Sequence, residues 1–504
     1  MNLYRTAAVV TFFNAAEHCL GFLYRIILSR TLGAEGLGVY QAAYSVFAVF
    51  LTVSSSGLPV TLSRILSKHR ARGHRLKEQS ASTAAIFLSL CFSVPMTLLL
   101  FFFRDPFTGV FADPRCADVF YILLLGLSCT SVYSVLRGVF WGNKRFFAYS
   151  FVELIEEMLR IGVGILLLLL LPAANGITLT AVAVLISYFC SFAIAAVYFF
   201  VRGGKLRSPR GELKPLLFSS LPVTAMRTSS SLLSSLISVL FPFMLRAAGY
   251  SSAAAMSEYG MVYGMVMPVM AVPCAFIGSI ALVLVPELSE QFYRGNKEQV
   301  SALVGRALRA TLLISCALLP FYLVCGSDVG IMLYSNAKSG ELISHCAFQL
   351  LPMSLTMITT SILNSLGCEK KTLGIFLAGS AGMLLSVLIL PRFLGSGALI
   401  VGMVADSCIT ALLSILLLRK KAGKLHLGHF CLRLLCAVLP SAALGFAARC
   451  GFVLIFGYLP SLALTMLVIL AAELTLFSLL HLADIRGFFA RFFRKKHKNS
   501  LATP

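Results

Sequence analysis

Charged residues are scarce in this sequence, since only 12% of its 504 residues are Asp, Glu, Lys or Arg. A typical soluble domain has about 25%. Hydrophobic residues make up 58% of the chain and its mean hydropathy is +0.89. Apolar runs of about 20 residues, long enough to cross a bilayer as a helix, recur along it, for example at 81–103 and 462–480. The alternating pattern of membrane β-barrel strands does not occur. The sequence therefore predicts an all-α polytopic membrane protein.

Several sequence features of enzymes are also lacking. The fourteen cysteines form no CxxC pair and no Cys/His cluster, which argues against a disulfide framework or a metal site. No GxxxxGK[ST] phosphate loop is present, and every predicted loop is too short to fold as a soluble domain. A membrane glycosyltransferase would need a large outer loop with acidic residues. We therefore expect a transporter with no catalytic residues, no metal site and no cofactor.

The apolar runs divide the chain into about fourteen predicted membrane spans. They lie approximately at 7–31, 38–60, 81–103, 118–136, 149–171, 177–201, 216–245, 259–285, 309–332, 344–366, 372–390, 398–418, 432–455 and 461–480.

The distribution of basic residues predicts the orientation of these spans. The net charge is +22, and the lysines and arginines concentrate in alternate loops such as RILSKHRARGHRLK and RGGKLRSPRGELK. Cytoplasmic loops of membrane proteins collect Lys and Arg. This rule predicts that both termini are cytoplasmic, and it explains the positive charge without a nucleic-acid partner.

Two segments suggest an internal repeat. GLPVTLSRILS closes span 2, and ALVLVPELSEQ closes span 8, six spans later. An even offset gives two parallel halves, a design in which substrate binds at the interface between lobes. We predict an N-terminal lobe at 1–205 (helices 1–6), a C-terminal lobe at 206–422 (helices 7–12), two further helices at 423–485 and a basic cytoplasmic tail at 486–504.

Span 1 has a polar face. At about 100° per residue, the residues on or beside this face of the helix are Asn14, Glu17, His18, Gly21, Tyr24, Arg25 and Ser29. Ionisable groups at membrane depth are costly unless they meet partners or water. The face therefore indicates either a water-filled cavity or a purely structural buried network.

Two other spans repeat this feature. Span 7 has a stripe of hydroxyl residues, including Ser231, around the single Arg227. Span 5 opens with SFVELIEEMLRIGVG, where Glu156 and Arg160 are an i,i+4 pair. A structural network remains the alternative for Arg227, and a self-neutralised helix start remains the alternative for span 5.

The functional interpretation is a water-filled vestibule between two lobes, lined by Arg25, Arg227, Arg160 and His18. Arginine offers a fixed charge and a forked set of donors suited to phosphate oxygens. This cavity favours an anionic, phosphorylated substrate. Supporting or coupling roles are predicted for Glu17, Asn14, Tyr24, Glu156 and Ser231.

Six segments, in order from span 1 to span 8, carry a resemblance to a known family, and the match continues to about span 12. They are LGFLYRIILSRTLGAEGLGVY, GLPVTLSRILSKHRARG, VLRGVFWGNKRF, ELIEEMLRIGVG, LPVTAMRTSSSLLSSL and EYGMVYGMVMPVMAVPCAFIGSIALVLVPELSE. The sequence resembles the polysaccharide transporters of the stage V sporulation protein B type. These are similar to lipid II flippases and belong to the MATE-like multidrug/oligosaccharidyl-lipid/polysaccharide exporter superfamily.

This resemblance implies two six-helix lobes around a central cavity, alternating access, and a groove for a polyprenyl tail in the last two helices. Arg25, Glu156, Arg160 and Arg227 stand where relatives have the same residue types, whereas His18 stands where they usually have arginine.

The expected function is export of an undecaprenyl-diphosphate-linked sugar precursor, lipid II-like or for another polysaccharide, across the bacterial cytoplasmic membrane. Its expected partners are this lipid-linked glycan, membrane lipid, a coupling proton or sodium ion, and cell-wall synthesis proteins.

Two alternatives remain. A cation-coupled multidrug exporter of the same superfamily predicts acidic and aromatic cavity walls. A non-transporting scaffold of a cell-wall or spore-cortex assembly complex predicts no particular cavity chemistry.

Overall fold

A computed structural model describes residues 3–171, 175–395, 397–423, 428–455 and 458–482. Within these ranges the chain consists of helices and the turns between them, and no strand is present. The predicted all-α fold is confirmed. The basic tail predicted at 486–504 lies outside the described residues, as does the end of the segment predicted at 423–485.

Twenty α-helices lie within the described ranges. In chain order they are α1 Leu3–Ser55, α2 Leu58–Ala71, α3 Arg75–Phe102, α4 Arg104–Thr108, α5 Pro114–Leu125, α6 Leu127–Gly142, α7 Phe146–Leu170, α8 Gly176–Val201, α9 Leu213–Ala247, α10 Ser252–Gly260, α11 Met267–Met270, α12 Val272–Tyr293, α13 Lys297–Tyr334, α14 Ala337–Cys346, α15 Leu350–Ser365, α16 Glu369–Ile389, α17 Pro391–Leu394, α18 Gly397–Ala422, α19 Gly428–Ile455 and α20 Tyr458–Leu479. A π-helical turn, Met261–Val266, joins α10 to α11, and a 3₁₀ turn, Ala347–Gln349, joins α14 to α15.

Ten helical segments in the described part of the chain are long and apolar enough to cross a membrane, or twelve if two bent pairs are each one span. The bent pairs are α5 with α6, at 51°, and α10–α11 with α12, at 48°. Residues Phe12–Arg70 count as one segment, and α7 is not included because Glu153, Glu156, Glu157 and Arg160 interrupt its apolar character. The count of fourteen spans stays a prediction.

The longest helix, α1, is broken at Gly33, where φ is 69° and ψ is −179°. Only glycine adopts such a conformation readily. The 53 residues of α1 would extend about 80 Å as one rod, far more than the hydrocarbon thickness of about 30 Å. Glu17, before the break, and Leu51, after it, line the same cavity. The two halves of α1 therefore lie side by side, and the chain folds back at Gly33.

A second break separates α1 from α2 at Ser56 and Gly57. Gly57 lies against α9 so closely that a Cβ atom there would overlap the Thr224 hydroxyl and the Ser220 carbonyl oxygen. The Thr61 hydroxyl continues this contact by donating to the Ser219 carbonyl oxygen, at 3.5 Å. Glycine at position 57 therefore permits the helix break and the approach of α9.

The chain divides into two compact units. Unit 1 contains residues 1–265 and 384–399, and unit 2 contains 266–383 and 400–504. A core of unit 1 is built from α2, α3, α6 and α8, with Leu62, Leu66 and Phe140 almost fully buried. A core of unit 2 packs α12, α13 and α15 through Ile277, Val304 and other apolar side chains. The lobe boundaries predicted from the sequence stay a prediction.

In unit 1, α1 packs closely on both α9 and α10. A Cβ atom on Gly38 would overlap the Met256 carbonyl oxygen, and one on Gly260 would overlap the Ala34 carbonyl oxygen. Backbone contact between helices at this range requires glycine on both sides. The crossing fixes α10 against the part of α1 that follows Gly33.

An ionic network lies beside this crossing. The Arg115 guanidinium bonds to the carboxylates of Asp113, at 2.8 Å, and Glu35, at 2.5 Å. The Ser252 hydroxyl donates to Asp113 at 3.1 Å, and Arg246 donates to the Ala112 carbonyl oxygen at 2.6 Å. This part of unit 1, where α1, α5, α9 and α10 meet around Gly33, is called the Gly33 end below.

Asp113 also caps α5, since its carboxylate accepts a hydrogen bond from the Arg115 amide. Burial acts to raise the pKa of this carboxyl, but the hydrogen bonds and positive charge of Arg115 outweigh burial and hold its pKa below the ordinary value of 3.8. A carboxyl with a depressed folded-state pKa stabilises the fold above its unfolded-state pKa, and this contribution is lost as the pH falls through the folded-state pKa.

We expect Asp113→Asn to lower the free energy of unfolding by about 1–3 kcal/mol at pH 7, because Arg115 loses a buried charged partner. The measurement is the thermal unfolding midpoint of the detergent-solubilised protein at pH 7 and near pH 3. The difference from wild type should shrink at the lower pH. Asp118→Asn is the control, since the Asp118 side chain is 67% exposed and its ion pair with Arg104 is long, at 3.7 Å. A deficit of Asp113→Asn that is equally large at both pH values would contradict this assignment.

Candidate functional site

A polar cavity of about 320 Å³ lies inside unit 1. The two halves of α1, together with α6, α7 and α8, form its walls. The residues that line it are Glu17, Tyr44, Leu51, Thr130, Tyr133, Ser134, Arg137, Glu153, Glu156, Glu157, Arg160 and Tyr188. We call it the acidic cavity.

Helical spacing brings these side chains to one place. On α7, Glu153, Glu156, Glu157 and Arg160 stand at i, i+3, i+4 and i+7, which is one helix face. Thr130, Tyr133, Ser134 and Arg137 have the same spacing on α6. The fold-back at Gly33 adds Glu17 from the first half of α1 and Tyr44 from the second.

Both arginines of the acidic cavity are held by carboxylates. Arg160 bonds to Glu156 at 3.2 Å and to Glu157 at 3.0 Å through its two terminal nitrogens. Arg137 bonds to Glu153 at 2.7 Å. A guanidinium inside a membrane protein is tolerated when it is paired in this way. Arg160 is therefore engaged on both terminal nitrogens before any substrate arrives.

The cavity has more acidic than basic side chains. Four glutamates face two arginines, an excess of two negative charges if all are ionised. Glu17 makes no ion pair with any residue in the described ranges, Arg25 included. Excess buried charge must be balanced by protons or by a cation. No group of three His, Cys, Asp or Glu residues in the described part of the chain is arranged to hold a metal ion.

Several polar atoms at this cavity have no protein partner among the described residues. They are the Nε atoms of Arg137 and Arg160 and the hydroxyl of Tyr133. A buried polar group left unsatisfied costs about 1–3 kcal/mol, and polar cavities of this size hold water. The acidic cavity is therefore suited to water or to a small polar ligand.

The structure divides the predicted polar face of span 1 between two environments. Glu17 faces the acidic cavity, and Tyr24 is buried with its hydroxyl against Gly164 of α7. His18 is exposed, and Asn14 and Arg25 are half-buried. The polar face is therefore divided. Glu17 and Tyr24, at its edge, meet the acidic cavity and α7, whereas His18 is exposed.

Of the three arginines predicted to bind diphosphate, Arg160 lines the acidic cavity, whereas Arg25 and Arg227 do not. Arg25 forms no ion pair or side-chain hydrogen bond that the described residues show. Arg227 is exposed on α9, and its Nη1 donates to the Ser56 carbonyl oxygen at 3.2 Å, at the break between α1 and α2. Ser231, one turn further along α9, is half-buried. The structure thus separates Arg227 from Arg160.

Sequence reasoning did not single out Arg137, Tyr133 or Tyr188 as site residues. The available signal was the spacing of Thr130, Ser134 and Arg137 along one face of an otherwise apolar helix. Tyr44 and Tyr188 gave no comparable signal, because a single tyrosine in an apolar helix has no periodicity.

Comparisons with known proteins agree with this architecture. Residues 3–292 match the family described as polysaccharide biosynthesis protein. The chain is 26% identical to stage V sporulation protein B of Bacillus subtilis (strain 168) over 309 residues, which are 58% of this chain and 59% of that protein. It is 23% identical to lipid II flippase MurJ of the same organism over 365 residues, 66% of this chain and 64% of that protein. The alignments therefore span only about three fifths of these relatives.

Solved structures show the same fold. The inward closed conformation of lipid II flippase MurJ has a TM-score of 0.71 at 13% identity, covering 94% of this chain and 98% of that one. An inward-facing multidrug resistance MATE family transporter of the MOP superfamily has a TM-score of 0.67 at 17% identity, covering 81% and 95%. The resemblance inferred from the sequence is confirmed.

The ion pairs of Arg160 yield a prediction about stability. Arg160→Met should destabilise the protein by about 3–5 kcal/mol, because it strands Glu156 and Glu157 without their partner. Adding Glu157→Gln should recover part of this loss by removing one stranded charge. The thermal unfolding midpoint in detergent measures both effects, and Arg64→Met, at an exposed position, is the control. Equal midpoints for Arg160→Met and wild type would contradict the pairing.

Proposed function

Because the chain belongs to the polysaccharide biosynthesis protein family, we propose that it exports an undecaprenyl-diphosphate-linked sugar precursor across the bacterial cytoplasmic membrane. The cargo is lipid II-like or another polysaccharide precursor. Transport proceeds by alternating access, with lobes at 1–205 and 206–422 and a tail-binding pair of helices at 423–485. The protein acts as a transporter and not as an enzyme.

The observation that carries the proposal is the state of Arg25 and Arg227. Neither is neutralised by a carboxylate in the described part of the chain, whereas Arg137 and Arg160 are. A free guanidinium binds phosphate oxygens through two parallel hydrogen bonds. Ser231 and the other hydroxyls on α9 add neutral donors beside Arg227. His18 and Asn14 extend the polar surface of α1 near Arg25.

Exposed basic residues support the proposed orientation. Three turns, at 72–74, 143–145 and 202–212, are joined by contacts such as Arg70 with Asn143 and Arg207 with Gln79, at one end of unit 1. The exposed cations there are Arg64, Lys68, Arg70, Arg72, Arg75, Lys77, Lys144, Arg202, Lys205, Arg207, Arg210 and Lys214. By the positive-inside rule this end faces the cytoplasm, and the same rule applied to the sequence assigns both termini to the cytoplasm. We call it the Ser56 end, since Ser56 lies toward it.

The driving force then follows from charge. An inside-negative potential favours outward movement of an anion by about 2.3 kcal/mol per charge per 100 mV. The acidic cavity provides a second source, because uptake of a proton or sodium ion balances its excess negative charge. Glu17, which has no ion pair, is the proposed coupling residue, and Glu156 and Tyr24 hold the surrounding network in place.

A cation-coupled multidrug exporter is the second candidate, and one observation favours it. The acidic cavity has four glutamates and three tyrosines in its walls, the lining that such an exporter requires. Its volume of about 320 Å³ is at the lower end for a drug-sized ligand. Arg137 and Arg160 also oppose a cationic drug. We therefore assign this cavity to coupling. A non-transporting scaffold of a cell-wall or spore-cortex assembly complex remains the third candidate.

We expect Arg25→Ala and Arg227→Ala each to reduce translocation of lipid-linked precursor at least tenfold, since each removes a charge-assisted phosphate contact of about 1.5–3 kcal/mol. The measurement is the appearance of precursor head groups on the far side of reconstituted vesicles.

Arg210→Ala, at an exposed position in the turn before α9, is the matched control and should retain the wild-type rate. Unchanged translocation in both Arg25→Ala and Arg227→Ala would exclude the arginine mechanism. Ethidium efflux by the same vesicles, with no movement of precursor, would instead establish the multidrug exporter.

A further inference from the structure

A buried carboxyl group lies in unit 2, whereas the acidic cavity belongs to unit 1. Glu473, on α20, is 2% exposed, and its Oε1 has no hydrogen-bond partner among the described residues. It forms no ion pair in the described part of the chain either. We propose that Glu473 is a proton-binding site, whose carboxyl carries the proton while α20 is packed against α13 and α19. This role is separate from the proposed function and does not depend on the identity of the cargo.

Helical spacing directs Glu473 into the bundle formed by α13, α19 and α20. It stands four residues after Ile469 and four before Phe477, so the three side chains lie on one face of α20. Ile469 packs with Cys325 of α13 and lies against Gly445 of α19. Phe477 packs in an apolar cluster with residues of the same two helices. Glu473 therefore lies between two apolar contacts of α20 with its neighbours.

The charged groups on these helices do not neutralise Glu473. No other residue of α20 is charged. Arg449 of α19 bonds to Asp328 of α13 at 2.7 Å and to the Ser461 hydroxyl at 2.5 Å. Ser461 is twelve residues before Glu473, or about 18 Å along α20. The other basic residues of α13 and α19 are exposed, namely Lys297, Arg306, Arg309, His429 and Arg433.

The surroundings of Glu473 are suited to a proton and not to a metal ion. The titratable groups near it are thiols, since Cys316 of α13 faces Glu473 and Cys431 of α19 is close to Cys316. Two buried hydroxyls in the bundle, those of Thr465 and Ser441, donate to carbonyl oxygens of their own helices. A metal ion such as calcium needs several oxygen ligands. A proton needs only the carboxyl itself.

A carboxylate ion would be unstable at this position. All three helices are apolar enough to cross a membrane, and an unpaired charge in an apolar interior is so costly that the group becomes neutral instead. The protonated carboxyl avoids this cost. Release of the proton requires water or a cation at Glu473, and both can reach it only if α20 separates from α13 and α19. Loss of the proton is therefore coupled to opening of the bundle.

The protonation state is tested by infrared difference spectroscopy of the full-length, detergent-solubilised protein at pH 7. Glu473→Gln keeps the size of the side chain and resembles its neutral form. We expect the wild-type-minus-variant spectrum to show the C=O stretching band of a protonated carboxyl. Glu341→Gln, at an exposed position on α14, is the matched control and should show carboxylate bands. Carboxylate bands for Glu473 would overturn the inference, whichever cation balances the charge.

The link between protonation and packing predicts a pH-dependent stability. In the unfolded chain this carboxyl loses its proton above about pH 4.3, whereas the folded protein keeps it. Above that pH the carboxyl alone therefore raises the unfolding constant by up to about tenfold per pH unit, so stability is lost as the pH rises. The thermal midpoint of wild type should fall relative to that of Glu473→Gln between about pH 5 and 8, and Glu341→Gln should follow wild type. A difference that is equal at both pH values would overturn the inference.

Carbodiimide labelling of wild type tests whether the site is apolar. Dicyclohexylcarbodiimide partitions into lipid and adds to a protonated carboxyl. The proton moves to a carbodiimide nitrogen, the carboxyl oxygen bonds to the central carbon, and an O-to-N acyl shift gives an N-acylurea from which no atom is lost. We expect mass spectrometry to find this adduct on Glu473, with none from a water-soluble carbodiimide. Equal labelling by both reagents would overturn the inference. None of these readouts involves precursor translocation, so their failure would leave the proposed function standing.

Discussion

The neutralisation of Arg160 is the interaction on which unit 1 depends. A guanidinium in apolar surroundings is tolerated only when opposite charges surround it. Glu156 and Glu157 supply these charges from the same helix, and Arg137 with Glu153 forms a second pair beside them. Both halves of α1, with α6, α7 and α8, present polar faces to this cluster. Their arrangement, including the fold-back at Gly33, encloses this cluster.

The same pairing gives unit 1 two chemically different regions. In the acidic cavity every arginine is already bound and glutamate is in excess, so that region is suited to a proton or a cation. Arg25 and Arg227 lie outside it without carboxylate partners, and they are suited to phosphate. Separation matters because a phosphate next to four glutamates would be repelled. A cation that enters the acidic cavity and a phosphate that engages the arginines can then influence each other through α1, which carries Glu17 and Arg25 and ends next to Ser56, the hydrogen-bond partner of Arg227.

Periodicity predicted much of this from the sequence, and its failures have physical causes. The stripes on spans 1 and 5 were visible because polar residues recur on one helix face. Which neighbour each residue meets was not visible, so Glu17 was grouped with His18 although the two face different surroundings. Arg137 was overlooked because its partner Glu153 comes from another helix. Two of the fourteen predicted spans are missing from the count of up to twelve in the described residues, because Phe12–Arg70 counts as one segment and because the charges that build the cavity interrupt the hydropathy of α7.

The most direct test of this division is the response of precursor translocation to an imposed proton or sodium gradient in vesicles, compared between wild type and Glu17→Gln. The account predicts that Glu17→Gln abolishes the response to the gradient while inorganic diphosphate binds with unchanged affinity. The opposite result, in which the gradient response persists and diphosphate affinity falls, would contradict the assignment of the acidic cavity to coupling and of the arginines to phosphate.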